Sequence, residues 1–153
     1  FWLLGTNIST VPWPLSGEID VMEYKGADPQ ITHGTLHFAN ASGNHVYNGG
    51  IKDTLMDLSD DYHRYGMLWE PDAITFYFDD IVVHRVNKGD TGLAYWPFGK
   101  SQAGVDPKFY VILNLAMGGN FGGAVDSGLT SATLNVDWVR YYSVNGLGKV
   151  SQK

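Results

Sequence analysis

The chain contains no cysteine, which excludes a disulfide framework, thiolate nucleophiles and cysteine-based zinc sites. Basic residues are scarce: 10 Lys and Arg against 16 Asp and Glu give a formal charge of −6. Without a basic stripe to meet phosphates, nucleic acid is not an expected partner. No apolar run approaches bilayer-spanning length, so no membrane partner is expected either. No stretch shows a helical hydrophobic period, and there is no internal repeat. Three catalytic signatures are missing. There is no HExxH pair for zinc hydrolysis and no G-x-S-x-G elbow for serine acyl transfer. The glycine pairs at 118–119 and 122–123 are not followed by Gly-Lys-Ser/Thr, so they read as turns and not as a phosphate loop. An initiator Met and a signal-peptide pattern are also missing. Phe1-Trp2-Leu3-Leu4-Gly5 opens inside an apolar segment, as a domain does when its opening part lies elsewhere.

What the chain does contain suits a globular β domain. Its 153 residues are one domain's worth of sequence, long enough to bury a core. Hydrophobic residues make up 44% and charged residues 17%, which separates it from disordered chains. An aromatic content of 14% with 19 glycines points to short strands, many turns and surfaces suited to ring stacking. Strands are expected at 1–4, 17–24, 31–39, 62–70, 73–79 and 81–86, with a short one at 45–47 inside a polar loop. The apolar run 109–117 reads as a strand buried on both faces, and 135–144 as a closing strand. Asp28-Pro29, Pro71-Asp72 and Asp79-Asp80 mark turns, and 94–104 is irregular. Strands separated by turns predict an all-β fold, an antiparallel β-sandwich with a concave face that can hold an extended ligand.

The densest chemistry lies in Ser16-Gly17-Glu18-Ile19-Asp20-Val21-Met22-Glu23-Tyr24. Three carboxylates are interleaved with strand formers, unlike a solvated charge run. Side chains alternate faces along a strand, so Glu18 and Asp20 share one face and Glu23 nominally lies on the other. One extra residue near Val21-Met22 would flip the parity and bring Glu23 to the same side. Carboxylates crowded in this way raise one another's proton affinity, as a proton donor beside a carboxylate nucleophile requires. The competing reading is an exposed strand with scattered acids.

Among the aromatics, Trp13, Trp69 and Trp96 are candidates for stacking on a sugar ring, against the alternative of core packing. Trp2 and Trp138 are assigned to the core. On 31–39, Thr32, Gly34, Leu36 and Phe38 alternate with His33, Thr35 and His37, and His37 is placed to bond a carboxylate or a sugar hydroxyl. His33, His45, His63 and His84 show no ligand spacing. Asp137, between Val136 and Trp138, is either a surface residue or an oxygen ligand for a hard cation such as calcium.

Gly17-Glu18-Ile19-Asp20-Val21-Met22-Glu23 resembles the signature of glycoside hydrolase family sixteen, in the longer E-x-D-x-x-E form of its laminarinase-like branch. Phe1 to Gly5, Trp13-Pro14, Thr32 to His37, Tyr65 to Trp69 with Pro71-Asp72, Trp96-Pro97-Phe98, Phe109 to Gly119 and Val136 to Tyr142 resemble the family's flanking segments in the same order. The resemblance implies a concanavalin A-like jelly roll and retaining hydrolysis, with Glu18 as nucleophile, Glu23 as general acid/base and Asp20 holding Glu18 in place. It implies that Trp13 stacks on the sugar, that His37 stands beside the acids, and that Asn114 and Gly118-Gly119 belong to the cleft. Asp137 matches a position that supplies structural calcium in some members; no cofactor is needed for the chemistry. The family's domain normally begins well before Phe1, so residues 1–153 read as a single, N-terminally incomplete catalytic domain. The expectation is a secreted, extracellular, monomeric endo-β-1,3-glucanase acting on a polysaccharide. The alternatives are hydrolysis of mixed-linkage glucan or a galactan, a non-catalytic glucan-binding module of the same fold, and a structural fragment needing a partner segment.

Overall fold

A computed structural model describes residues 1–90, 96–100 and 106–150. Most of the irregular stretch expected at 94–104 lies outside them. Among these residues eight strands form: β1 (Trp2–Gly5), β2 (Glu18–Tyr24), β3 (Ile31–Ala39), β4 (His45–Asp53), β5 (Tyr65–Glu70), β6 (Ala73–Phe78), β7 (Ile81–Asn87) and β8 (Phe109–Ile112). A single helical turn, α1 (Gly119–Gly122), follows. All named strand pairs are antiparallel, in a five-stranded sheet of order β4-β3-β2-β1-β8 and a three-stranded sheet of order β5-β6-β7. The fold is an antiparallel jelly-roll β-sandwich.

Alternation decides what lies between the sheets. Leu3, Ile19, Val21, Leu36 and Phe38 from the larger sheet meet Ile74, Phe76 and Val86 from the smaller one, and Trp96 and Phe98 extend this core. Gly34 marks a close approach, since a Cβ there would sit 2.8 Å from the Phe76 ring. The β6–β7 hairpin turns through Asp79 and Asp80, both at positive φ, as a two-residue hairpin loop requires.

Three expectations are corrected. First, β4 runs unbroken through Gly49 and Gly50, where a loop was expected to follow a short strand at 45–47. Cross-strand pairing with β3 carries the glycines. Second, the run 109–117 is strand only to Ile112, and β8 pairs only with β1, so Tyr110 and Val111 remain exposed. Third, residues 135–144 form no strand and stand exposed, and Trp138 is 45% exposed where a core position was expected. An alternating pattern needs a neighbouring strand to become a ladder, and none lies beside this segment among the described residues. No helix among them is long and apolar enough to cross a membrane.

Candidate active site

The register of β2 against β3 builds the acid row. Glu18 stands opposite His37, Asp20 opposite Thr35 and Glu23 opposite His33. The step from Asp20 to Glu23 spans three residues on β2 but two on β3, so β2 carries one extra residue at Val21-Met22. The backbone amides of Val21 and Met22 both donate to the Phe1 carbonyl at 3.0 Å, and the Phe1 ammonium donates to the Met22 carbonyl at 3.0 Å. Phe1 thereby brackets the bulge from the neighbouring segment. Ile19 and Val21 face the core, while all three acids share the outer face of the five-stranded sheet with His33, Thr35 and His37. By the same register, Trp2 of β1 and His45 and Tyr47 of β4 lie on this face.

The side chains interlock. Trp13, from the loop before β2, donates its indole N–H to Glu18 Oε2 at 2.9 Å. His37 Nε2 lies 3.1 Å from Asp20 Oδ2, close enough for an ion pair but poorly angled for a hydrogen bond. Thr35 Oγ1 reaches Glu23 Oε2 at 3.4 Å, a weak contact. His37 Nδ1 lies 2.8 Å from His45 Nε2. Although charged and on the outer face, Asp20 is only 4% exposed.

Burial first, and the Asp20 carboxylate second, push Glu18 from its ordinary 4.5 up to about 7, against the opposing pull of His37 and the Trp13 N–H. The same two causes raise Glu23, opposed by His37 and the Thr35 hydroxyl. For His37, burial favours the neutral ring, but the Asp20 contact and the charges of Asp20, Glu18 and Glu23 outweigh it and hold the imidazole above its ordinary value. Burial and the nearby His37 lower His45. Crowding and partial burial thus keep a proton within a row of carboxylates near neutrality, the condition for general acid catalysis beside a carboxylate nucleophile.

Glu18, Asp20 and His37 each bring one ligand atom within 4.8 Å of the others, a spacing that a metal could use. These side chains already engage one another, Trp13 and His45, which suits proton chemistry. Asp137 lies on the exposed C-terminal segment and joins no such cluster among the described residues.

Of the other predicted site residues, Trp13 and His37 stand at the acids. Asn114 is drawn toward the same face, where its Oδ1 accepts the Trp2 indole N–H at 2.7 Å. That contact also corrects the core assignment of Trp2. Trp69 and Trp96 are not at the acids. Trp96 is 8% exposed within the core and donates to the Pro71 carbonyl at 3.0 Å. Trp69 packs against the core, edge-on to Phe109, and donates to the Phe98 carbonyl at 2.7 Å. Their rings are occupied by packing, as the tight fit of an apolar interior demands. Two residues escaped sequence reasoning: His45, and Tyr47, which is 70% exposed on the acid face. Alternation across β4 could have found both, had its glycines not been read as loop.

Known proteins resemble this chain over most of its length. A glucan endo-1,3-beta-glucosidase of Cryptopygus antarcticus is 37% identical over 154 residues, covering 95% of this chain and 56% of the relative. A glucan endo-1,3-beta-glucosidase A1 of Niallia circulans is 36% identical, covering 92% of this chain and 21% of the relative. The X-ray structure of an endo-beta-1,3-glucanase from Pyrococcus furiosus superposes with a TM-score of 0.67 at 37% identity, over 83% of this chain and 47% of that one. The chain thus spans about half or less of the length of these relatives. The model of glycosyl hydrolases family 16 matches residues 1–139, a span that includes the bulged acid strand, and the chain belongs to that family of glycoside hydrolases.

Proposed function

We propose that this chain carries the catalytic acids of a retaining endo-β-glucanase that cleaves β-1,3 linkages in laminarin-type polysaccharides outside the cell. The observation that carries this reading is the bulge in β2, which puts Glu18, Asp20 and Glu23 on one face. The names of the relatives, glucan endo-1,3-beta-glucosidases and an endo-beta-1,3-glucanase, support the substrate class. In the first step a Glu18 oxygen attacks the anomeric carbon. The bond to the leaving sugar breaks, and the Glu23 proton passes to the departing oxygen. In the second step the Glu23 carboxylate takes a proton from water. The water oxygen attacks the anomeric carbon, and the ester to Glu18 breaks. Two inversions return the original anomer. Asp20, between the two glutamates and beside His37, orients Glu18, and its charge favours the proton on Glu23. The Trp13 N–H favours the ionised form of Glu18, which the first step needs.

Laminarin hydrolysis followed by NMR tests the reading. The expected result is the β-anomer as first product, with Glu18→Gln and Glu23→Gln each at least ~10³-fold slower. Release of the α-anomer first would overturn retention. Laminarin binding without new reducing ends would overturn hydrolysis. Parallel assays on a mixed-linkage glucan and a sulfated galactan rank the substrate classes.

A further inference from the structure

Two imidazoles meet on the acid face where the reaction above uses one. His37 turns Nε2 toward Asp20 at 3.1 Å, and its other nitrogen, Nδ1, lies 2.8 Å from Nε2 of His45, the first residue of β4. The two rings lie edge to edge, with centroids 5.0 Å apart and planes 25° from parallel. Trp13 lies 4.5 Å from the His45 ring, and Tyr47 lies 6.2 Å from it on the other side. His45 is exposed, yet it is held between aromatic neighbours and fixed on His37.

A nitrogen–nitrogen separation of 2.8 Å requires one proton in the gap. Which ring carries it depends on the charge of the pair. The Asp20 oxygen 3.1 Å from His37 Nε2 favours a proton on that nitrogen. In the uncharged pair His37 has no second proton, and His45 Nε2–H donates to His37 Nδ1. When the pair takes up a proton, His37 holds both of its own and donates from Nδ1 to a neutral His45. The groups facing His37 are Glu18, Asp20 and Glu23 from β2, Trp13 from the preceding loop, and His45 and Tyr47 from β4. The three carboxylates favour the charge on His37, and that charge disfavours one on His45.

We propose that His45 is a positioning residue that acts through His37: by occupying Nδ1 as donor or as acceptor, it keeps His37 Nε2 beside the Asp20 carboxylate whichever charge the pair carries. The proposal rests on the hydrolase reading of the site for its effect on rate, though not for its effect on the imidazole.

The test compares His45→Phe, which keeps an aromatic ring and offers no hydrogen-bond partner, with His45→Gln, whose amide can donate or accept. NMR titration of the His37 nitrogens in the full chain is the deciding measurement. The His37 midpoint is expected to fall by about one pH unit in His45→Phe and to recover in His45→Gln. On laminarin, kcat is expected to fall about tenfold in His45→Phe with KM little changed, and to be restored in His45→Gln. An unmoved His37 midpoint in His45→Phe, or no recovery in His45→Gln, overturns the proposal. If the chain hydrolyses nothing while the midpoint moves as expected, the hydrolase reading fails and the positioning of His37 stands.

Discussion

The two faces of the β2–β3 ribbon put exclusion from water to opposite uses. On the inner face, Ile19 and Leu36 are wholly buried and Phe38 nearly so. Burial there stabilises the fold by removing apolar area from water. On the outer face, Asp20 is as buried as a core residue, and Glu18 and Glu23 are partly so. Burial there stabilises nothing by itself. It raises proton affinity, and the cost is balanced by His37, Trp13 and Thr35. A bulge divides the two uses: absorbing one residue at Val21-Met22 keeps Glu23 with the acids, where unbroken alternation over the same residues would turn it to the apolar core.

Glu23→Gln is the harshest way to break this contrast. It keeps the shape of the side chain, removes the proton it would carry, and is expected to lower laminarin kcat/KM at least ~10³-fold. Full activity in this variant would remove Glu23 from the working acids. Ile19→Ala addresses the inner face alone: a stability loss of about 3 kcal/mol in urea unfolding is expected, with kcat of the folded enzyme little changed. A large fall in kcat would mean the faces are not independent.

The pH dependence of stability isolates the outer face. Folding raises Glu18 from 4.5 to about 7 and raises Glu23 and His37 in the same direction. Raised values mean that the folded state binds more protons, so this stabilisation is present in acid and is lost as pH rises through about 7. Glu18→Gln is therefore expected to flatten the decline in urea midpoint between 4.5 and about 7, while an unchanged slope would remove Glu18 as its source. The smallest expected effect belongs to Trp13→Phe, which keeps a ring and loses the N–H donated to Glu18. The Glu18 midpoint should rise further and kcat should fall roughly fivefold, read from the pH–rate profile.

Much of this arrangement was legible because it depends on local rules. The alternation of His33, Thr35 and His37 fixed a face of β3, and the parity of Glu18, Asp20 and Glu23 demanded a bulge. Pro71-Asp72 and Asp79-Asp80 located the hairpins of the smaller sheet. What escaped depends on neighbours distant in sequence. Gly49 and Gly50 look like loop until Thr35 and His84 are seen against them. Trp69 and Trp96 carry the same flat ring as Trp13, and only the stacking of the two sheets assigns them to the core. Residues 135–144 alternate like β3, yet the structure sets no strand beside them.

Gly49 and Gly50 have a consequence for the shape of the acid face. A Cβ at Gly49 would strike the Thr35 hydroxyl at 2.8 Å, on the side of Glu23, whereas a Cβ at Gly50 would strike the His84 Cβ at 2.6 Å, on the side of the second sheet. Two consecutive bare positions therefore set two clearances separately. One governs the room beside Thr35 on the acid face, and the other the spacing between the layers. Alanine at 49 would press on the Thr35 hydroxyl and on the Gly34 carbonyl 2.9 Å away, while alanine at 50 would wedge the layers apart.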